Sequence, residues 1–208
     1  CIRDRDVFVI PGVELNTAQR KDILIYFYSA SELEEFFKKH IEKNLPRTGQ
    51  TSKVSIFDLA EILEDYNCVV SAAHPCGPLH KNLKRFHVKN DIGKMIERIN
   101  AFEVINAGIS RRNNIAAIKW MKELSKGFTG GSDAHNVLEI GKSVTCAMAN
   151  NVEEFLDAII KRNNFVIGKE TNLIRKSVTG MTIFGTNAFE KIKYYSSVIK
   201  KFNGVAKH

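Results

Sequence analysis

A chain of 208 residues, 44% hydrophobic and 26% charged, has the make-up of a globular protein large enough to bury a substantial core. Its longest apolar runs, such as residues 22–28, fall short of the roughly 20 residues that span a bilayer, and no signal peptide is legible. The 31 Lys and Arg against 23 Asp and Glu leave a net charge of +8, which suits an anionic partner such as a phosphate ester, nucleotide or nucleic acid, or else solvates a surface. Four cysteines, Cys1, Cys68, Cys76 and Cys146, show no C-x-x-C spacing, so a reduced, cytoplasmic protein is expected.

Along the chain, apolar β-type segments alternate with helical ones. Strands are predicted over 7–12, 22–28, 68–73, 101–106, 127–131, 142–147 and 164–168. Helices are predicted over 31–44 and 55–67, each opened by a serine N-cap with an acidic residue three positions on, and over 91–100, 112–126 and 151–162. This alternation predicts parallel strands with crossover helices, hence an α/β barrel or open sheet. Residues 1–170 read as one β/α domain and 171–208 as a C-terminal extension. In that extension, Phe189, Ile192, Tyr195, Ile199 and Phe202 recur at helical spacing opposite lysines. The helix over 187–202 is expected to pack on the domain, with membrane or nucleic-acid contact the alternative.

Ionisable and polar residues collect just past strand ends. Glu14 follows 7–12, His74 follows 68–73, Asn106 closes 101–106, and Asp133 and His135 follow 127–131. In extended chain, positions i and i+2 point the same way, so Asp133 and His135 face one spot. The glycines Gly130 and Gly131 before them read as freedom for a tight turn. Carboxylate and imidazole delivered by several strands to the carboxyl edge of an α/β sheet form a joint site suited to zinc, manganese or iron. Such ions drive phosphate-ester hydrolysis.

The stretches VIPGVE (9–14), AAHPCGP (72–78), EVINAG (103–108) and GGSDAHNVLEIGKSVT (130–145) together resemble the later motifs of the PHP (polymerase and histidinol phosphatase) family, in order and spacing, across roughly residues 7–170. The resemblance is to its stand-alone metal-dependent phosphoesterases. It implies a distorted β/α barrel of roughly seven strands with two or three divalent ions, Mn, Zn or Fe, at the carboxyl ends of the strands. By the same resemblance Glu14, His74, Asp133 and His135 are metal ligands, and Glu14 and Asp133 are also catalytic. Asn106 is expected to hydrogen-bond behind the ligands, because an amide is a weak ligand for such ions. Family members open with a His-x-His pair, and no histidine precedes Glu14 here. Either upstream strands are missing, which the start at Cys1 favours, or the chain is a degenerate member of the family, and the activity of this chain by itself is left open.

The implied reaction is hydrolysis of a phosphate mono- or diester, whether nucleotide, oligonucleotide or a small phosphomonoester such as histidinol phosphate. Lys84 and Arg85, in a basic loop over 80–89, and Arg111 and Arg112, past 101–106, are candidates for the substrate phosphate. His80 and His87 are left out of the ligand set, and His40 reads as surface. The alternative function is a non-catalytic PHP module that binds nucleic acid or a polymerase partner. Homo-oligomerisation is left open. G-K-S at 141–143 lacks the upstream glycine of a phosphate-binding loop, and neither G-x-G-x-x-G nor H-E-x-x-H occurs.

Overall fold

The computed structural model describes residues 7–46 and 51–170, all within one unit. The helix predicted over 187–202 lies outside the described residues. Strands β1 (Gly12–Asn16), β2 (Asp22–Phe27), β3 (Cys68–Ala72), β4 (Ala101–Asn106) and β5 (Gly127–Gly131) form a sheet in sequence order. Strands β6 (Ser143–Ala147) and β7 (Asn164–Gly168) form an antiparallel pair.

The first strands depart from expectation. The first strand is 12–16 and not 7–12: Val7, Phe8 and Val9 are exposed outside any strand, so Glu14 stands within β1, opposite Leu24. The sheet is also not wholly parallel. β2 runs antiparallel to both β1 and β3, while β3, β4 and β5 are parallel. The stretch 17–21 between β1 and β2 is too short for the crossover of a dozen or more residues that a parallel pair needs. It closes instead as a hairpin, with the Thr17 N–H donating to the Lys21 carbonyl and Arg20 left-handed at φ 58°.

No closed barrel forms among the described residues, but the sheet curls. Ser71 on β3 and Thr129 on β5 hydrogen-bond through their hydroxyls at 3.0 Å across the intervening β4. Neighbouring strands lie about 4.8 Å apart, so short side chains two strands apart meet only if that face is concave. β6 and β7 lean on β5 through side chains, with Thr145 Oγ1 accepting from the Gly130 N–H at 2.9 Å and Asn164 Nδ2 donating to the Phe128 carbonyl at 2.8 Å.

Alternation along β2 sorts the two faces. Ile23, Ile25 and Phe27 are wholly buried on the convex side. There they share one core with Phe36, Ile56, Leu59, Ile92, Met95 and Trp120 of the surrounding helices. Burying each such side chain contributes about 1.5–3 kcal/mol. Those helices are α1 (Ala30–Phe36), which continues as a π turn and a 3-10 turn to Asn44, α2 (Ile56–Ile62), α3 (Leu83–Lys89), α4 (Gly93–Arg98) and α5 (Arg111–Glu123). Ser55 caps α2 as predicted. Ser29, not Ser31, caps α1, in a full capping box with Glu32. Residues 83–89 are helix where a basic loop was expected. α6 (Val152–Lys161) packs Leu156 and Ile159 on Val69 and Ala101. These two lie early in their strands, so α6 fills the concave side at the end remote from His74.

Candidate metal centre

The open end of the concave face gathers acids. Directly opposed residues of an antiparallel pair share a face, so the pairs Glu14 with Leu24 and Asn16 with Asp22 put Glu14, Asn16 and Asp22 on one side. His74 follows β3 in a left-handed conformation, φ 30°. Its imidazole is 1% exposed, with Nε2 3.2 Å from Asp22 Oδ2 and 3.9 Å from Glu14 Oε1. One donor atom from each of the three lies within 4.8 Å of the others.

Asp22 Oδ2 and both nitrogens of His74 are buried without a hydrogen-bond partner: the 3.2 Å approach is close enough for attraction but not aligned as a hydrogen bond. Unsatisfied buried polar atoms are costly, and carboxylate and imidazole donors converging in this way fit a divalent cation. Asn16 Nδ2 donates to Asp22 Oδ1, leaving Oδ2 as its free oxygen. Lys81 Nζ lies 3.4 Å from that oxygen and sets a positive charge against the group.

Electrostatics follow from this crowding. Burial works against ionisation of Asp22, yet its contact with His74 and the Asn16 hydrogen bond hold its carboxyl down at about 2. Burial likewise opposes a charged His74, but Asp22 outweighs it and the imidazole is shifted upward. Glu14 is pushed up to about 7, by desolvation first and then by Asp22 and Asp133. Its side chain is 48% exposed, so the acidic neighbours Asp22 and Asp133 act on it across a partly solvated edge of the group.

Behind the three stands Glu103, buried inside β4. It accepts from the His74 backbone N–H at 2.8 Å and from Asn106 Nδ2 at 2.7 Å, and burial raises its pKa. Asn106 Nδ2 also lies 3.5 Å from Asp133 Oδ2, linking the ends of β3, β4 and β5. The paired glycines have a different reason from the turn first inferred. A Cβ on Gly131 would sit 1.8 Å from Glu103 Oε1, and one on Gly130 2.3 Å from Val166 Cγ1. They admit a carboxylate and a neighbouring strand, and Asp133, at φ 48°, makes the turn.

Of the residues singled out from sequence, Glu14 and His74 meet directly. Asp133 is close enough to act on the charges of both. His135 is half-exposed, its Nδ1 2.9 Å from the Asp133 carbonyl and 3.8 Å from Asp133 Oδ1, outside the three-residue group. Lys84, Arg85 and Arg112 line one groove, and Arg111 does not. His40 is partly buried against Phe36 and Tyr66, with Nε2 3.1 Å from the tyrosine hydroxyl, and His87 lies beside Trp120. Sequence reasoning missed Asp22, Glu103 and Lys81. The signal for Glu103 was a carboxylate inside an otherwise apolar strand.

A family model described as PHP-associated matches residues 111–164, from α5 to the start of β7. The solved structure of PsfC from Pseudomonas syringae PB-5123 superposes with a TM-score of 0.56 at 20% identity, covering 83% of this chain and 66% of that one. The lesion-specific endonuclease PfuEndoQ from Pyrococcus furiosus gives 0.57 at 18%, covering 74% of this chain and 40% of its own. Endonuclease Q in complex with a 27-mer duplex substrate bearing an abasic lesion gives 0.53 at 19%, covering 71% and 38%. At these identities the likeness is one of fold, and this chain spans only part of each. A search of the curated proteins finds no match.

Proposed function

We propose that this chain, a PHP-family protein by its motifs and its PHP-associated segment, is a metal-dependent phosphoesterase that hydrolyses a phosphate mono- or diester. The observation that carries the reading is the convergence of Asp22 Oδ2 and the His74 imidazole, buried and without hydrogen bonds, on the carboxylate of Glu14.

Glu14, Asp22 and His74 would hold a divalent ion, with Asp133 and His135 as ligands at the adjoining edge. When bound, such ions lower the pKa of a water and neutralise charge on phosphoryl oxygens. The chain's own residues do the rest. Glu14 and Asp133 offer carboxylate oxygens to take the proton of the attacking water. Asn106 orients Asp133, and Glu103 fixes the loop of His74 through its backbone N–H. Lys81, beside Asp22, is the cation placed to meet a phosphoryl oxygen.

The test is hydrolysis of p-nitrophenyl phosphate and bis-p-nitrophenyl phosphate in Mn²⁺ or Zn²⁺ by the wild type and by His74→Ala. Turnover that requires added metal and is lost in the variant supports the reading. Equal turnover in both refutes it, and a wild type that binds metal without turnover favours the non-catalytic module.

A further inference from the structure

On the helix-covered side of the sheet, at the edge where β3 leads into His74, runs a basic groove that the chemistry above leaves unused. It lies between α3 and the first turns of α5 and has a volume of about 330 Å³. Lys84 and Arg85 reach it from one wall and Arg112 from the other, and Asn82 and Asn113 add amides. Lys84 is engaged, its Nζ 2.9 Å from Glu123 and 5.8 Å over the Trp120 ring. Arg85 and Arg112 are exposed and form no ion pair among the described residues. The groove is tied to the centre. The N–H groups of Leu83 and Lys84 donate to the Pro75 carbonyl at 2.9 and 3.1 Å, one residue beyond His74. Cys76, which also lines the groove, bridges to Asn82. α5 begins just past Asn106, at the same edge of the sheet.

We propose that this groove holds the phosphate backbone of a polynucleotide strand whose reacting phosphate lies at the Glu14–Asp22–His74 centre. The substrate class is therefore a polynucleotide and not a small phosphomonoester. The inference rests on the metal-centre reading for the direction of the strand, but the binding it predicts does not need the metal. An anion site beyond the centre is redundant for a monoester and required for a chain of phosphates. Guanidinium groups suit phosphate oxygens, which they grip two at a time. The lining holds no aromatic side chain, so bases have no stacking platform there. Phosphate contacts then carry the affinity, and phosphates bear no sequence information. The only large apolar side chain on the rim is Val88, 78% exposed.

The experiment is a salt titration of binding by fluorescence anisotropy, on the full chain in EDTA, with labelled oligo-dT and a mixed-sequence single strand of equal length. The two oligonucleotides should bind alike. In Arg85→Ala/Arg112→Ala the slope of log affinity against log salt should shrink by about 1.4, roughly 0.7 for each phosphate of the single strand that an arginine no longer neutralises. Lys38→Ala/Lys161→Ala removes the same charge from surface i,i+4 pairs and should leave the slope unchanged. If the first double variant loses its circular dichroism spectrum, Arg112→Glu alone is read by the same criterion. Equal slope changes in the two double variants, no change in either, no binding by the wild type, or equal displacement by poly-glutamate would each overturn the proposal. Because the assay is free of metal, its outcome is independent of whether the centre hydrolyses anything.

Discussion

His74 Nε2 and Asp22 Oδ2 lie 3.2 Å apart, both buried and neither hydrogen-bonded. Asp22 opens a strand that runs against its neighbours, so its amino end reaches the same edge as the carboxyl ends of β1 and β3. Asp22→Ala should weaken metal binding by about tenfold or more, as removal of a direct ligand should cost at least as much as loss of its outer-shell support. Isothermal titration with Zn²⁺ checks this, and an unchanged affinity would remove Asp22 from the ligand set.

Glu103 needs the space above Gly131. Gly131→Ala would set a Cβ 1.8 Å from Glu103 Oε1, displacing the acceptor of the His74 N–H. It should destabilise by about 1–3 kcal/mol and also lower metal affinity. Gly141→Ala, strained at φ +78° but with open space around it, should cost about 1–2 kcal/mol and leave metal affinity unchanged. Denaturant melts and metal titrations of the two variants separate these outcomes.

In the metal-free protein stability should depend on pH through Glu14. Its folded pKa is raised from 4.5 to about 7, so its contribution is fully present below 4.5 and is lost as pH rises through 7. Asp22 is opposite in sign: lowered from 3.8 to about 2, it contributes above 3.8 and loses that as pH falls towards 2. In EDTA, Glu14→Gln should raise Tm relative to wild type at pH 8 and not at pH 4. A difference that does not vary with pH would contradict this.

The cap of α1 separates two serines. Ser29 accepts from the Glu32 N–H, and Glu32 reaches back to the Ser29 N–H. Ser29→Ala should cost about 1 kcal/mol, and Ser31→Ala close to nothing. Equal costs in urea melts would mean the helix starts where the sequence first suggested.

Much of this architecture is legible in the chain. The segments predicted over 68–73, 101–106, 127–131, 142–147 and 164–168 coincide with β3 to β7, because each is a short apolar run bounded by polar or glycine-rich turns. Residues 7–12 mislead: Val7, Phe8 and Val9 look like core but lie exposed, and the pairing falls on 12–16. Placing candidate ligands past carboxyl ends presumes parallel strands, which points to His74 and Asp133 and passes over Asp22 on the reversed β2. Periodicity alone gives a strand no direction. The five-residue link 17–21 did carry that information, since it permits only a hairpin.

The measurement that bears most directly on the proposed metal centre is divalent metal bound per chain after equilibration with Mn²⁺ or Zn²⁺ and desalting, by elemental analysis, for the wild type and for Asp22→Ala/His74→Ala. The account predicts metal retained in proportion to protein in the wild type and lost in the double variant. Retention that is the same in both, or none in the wild type, would contradict it.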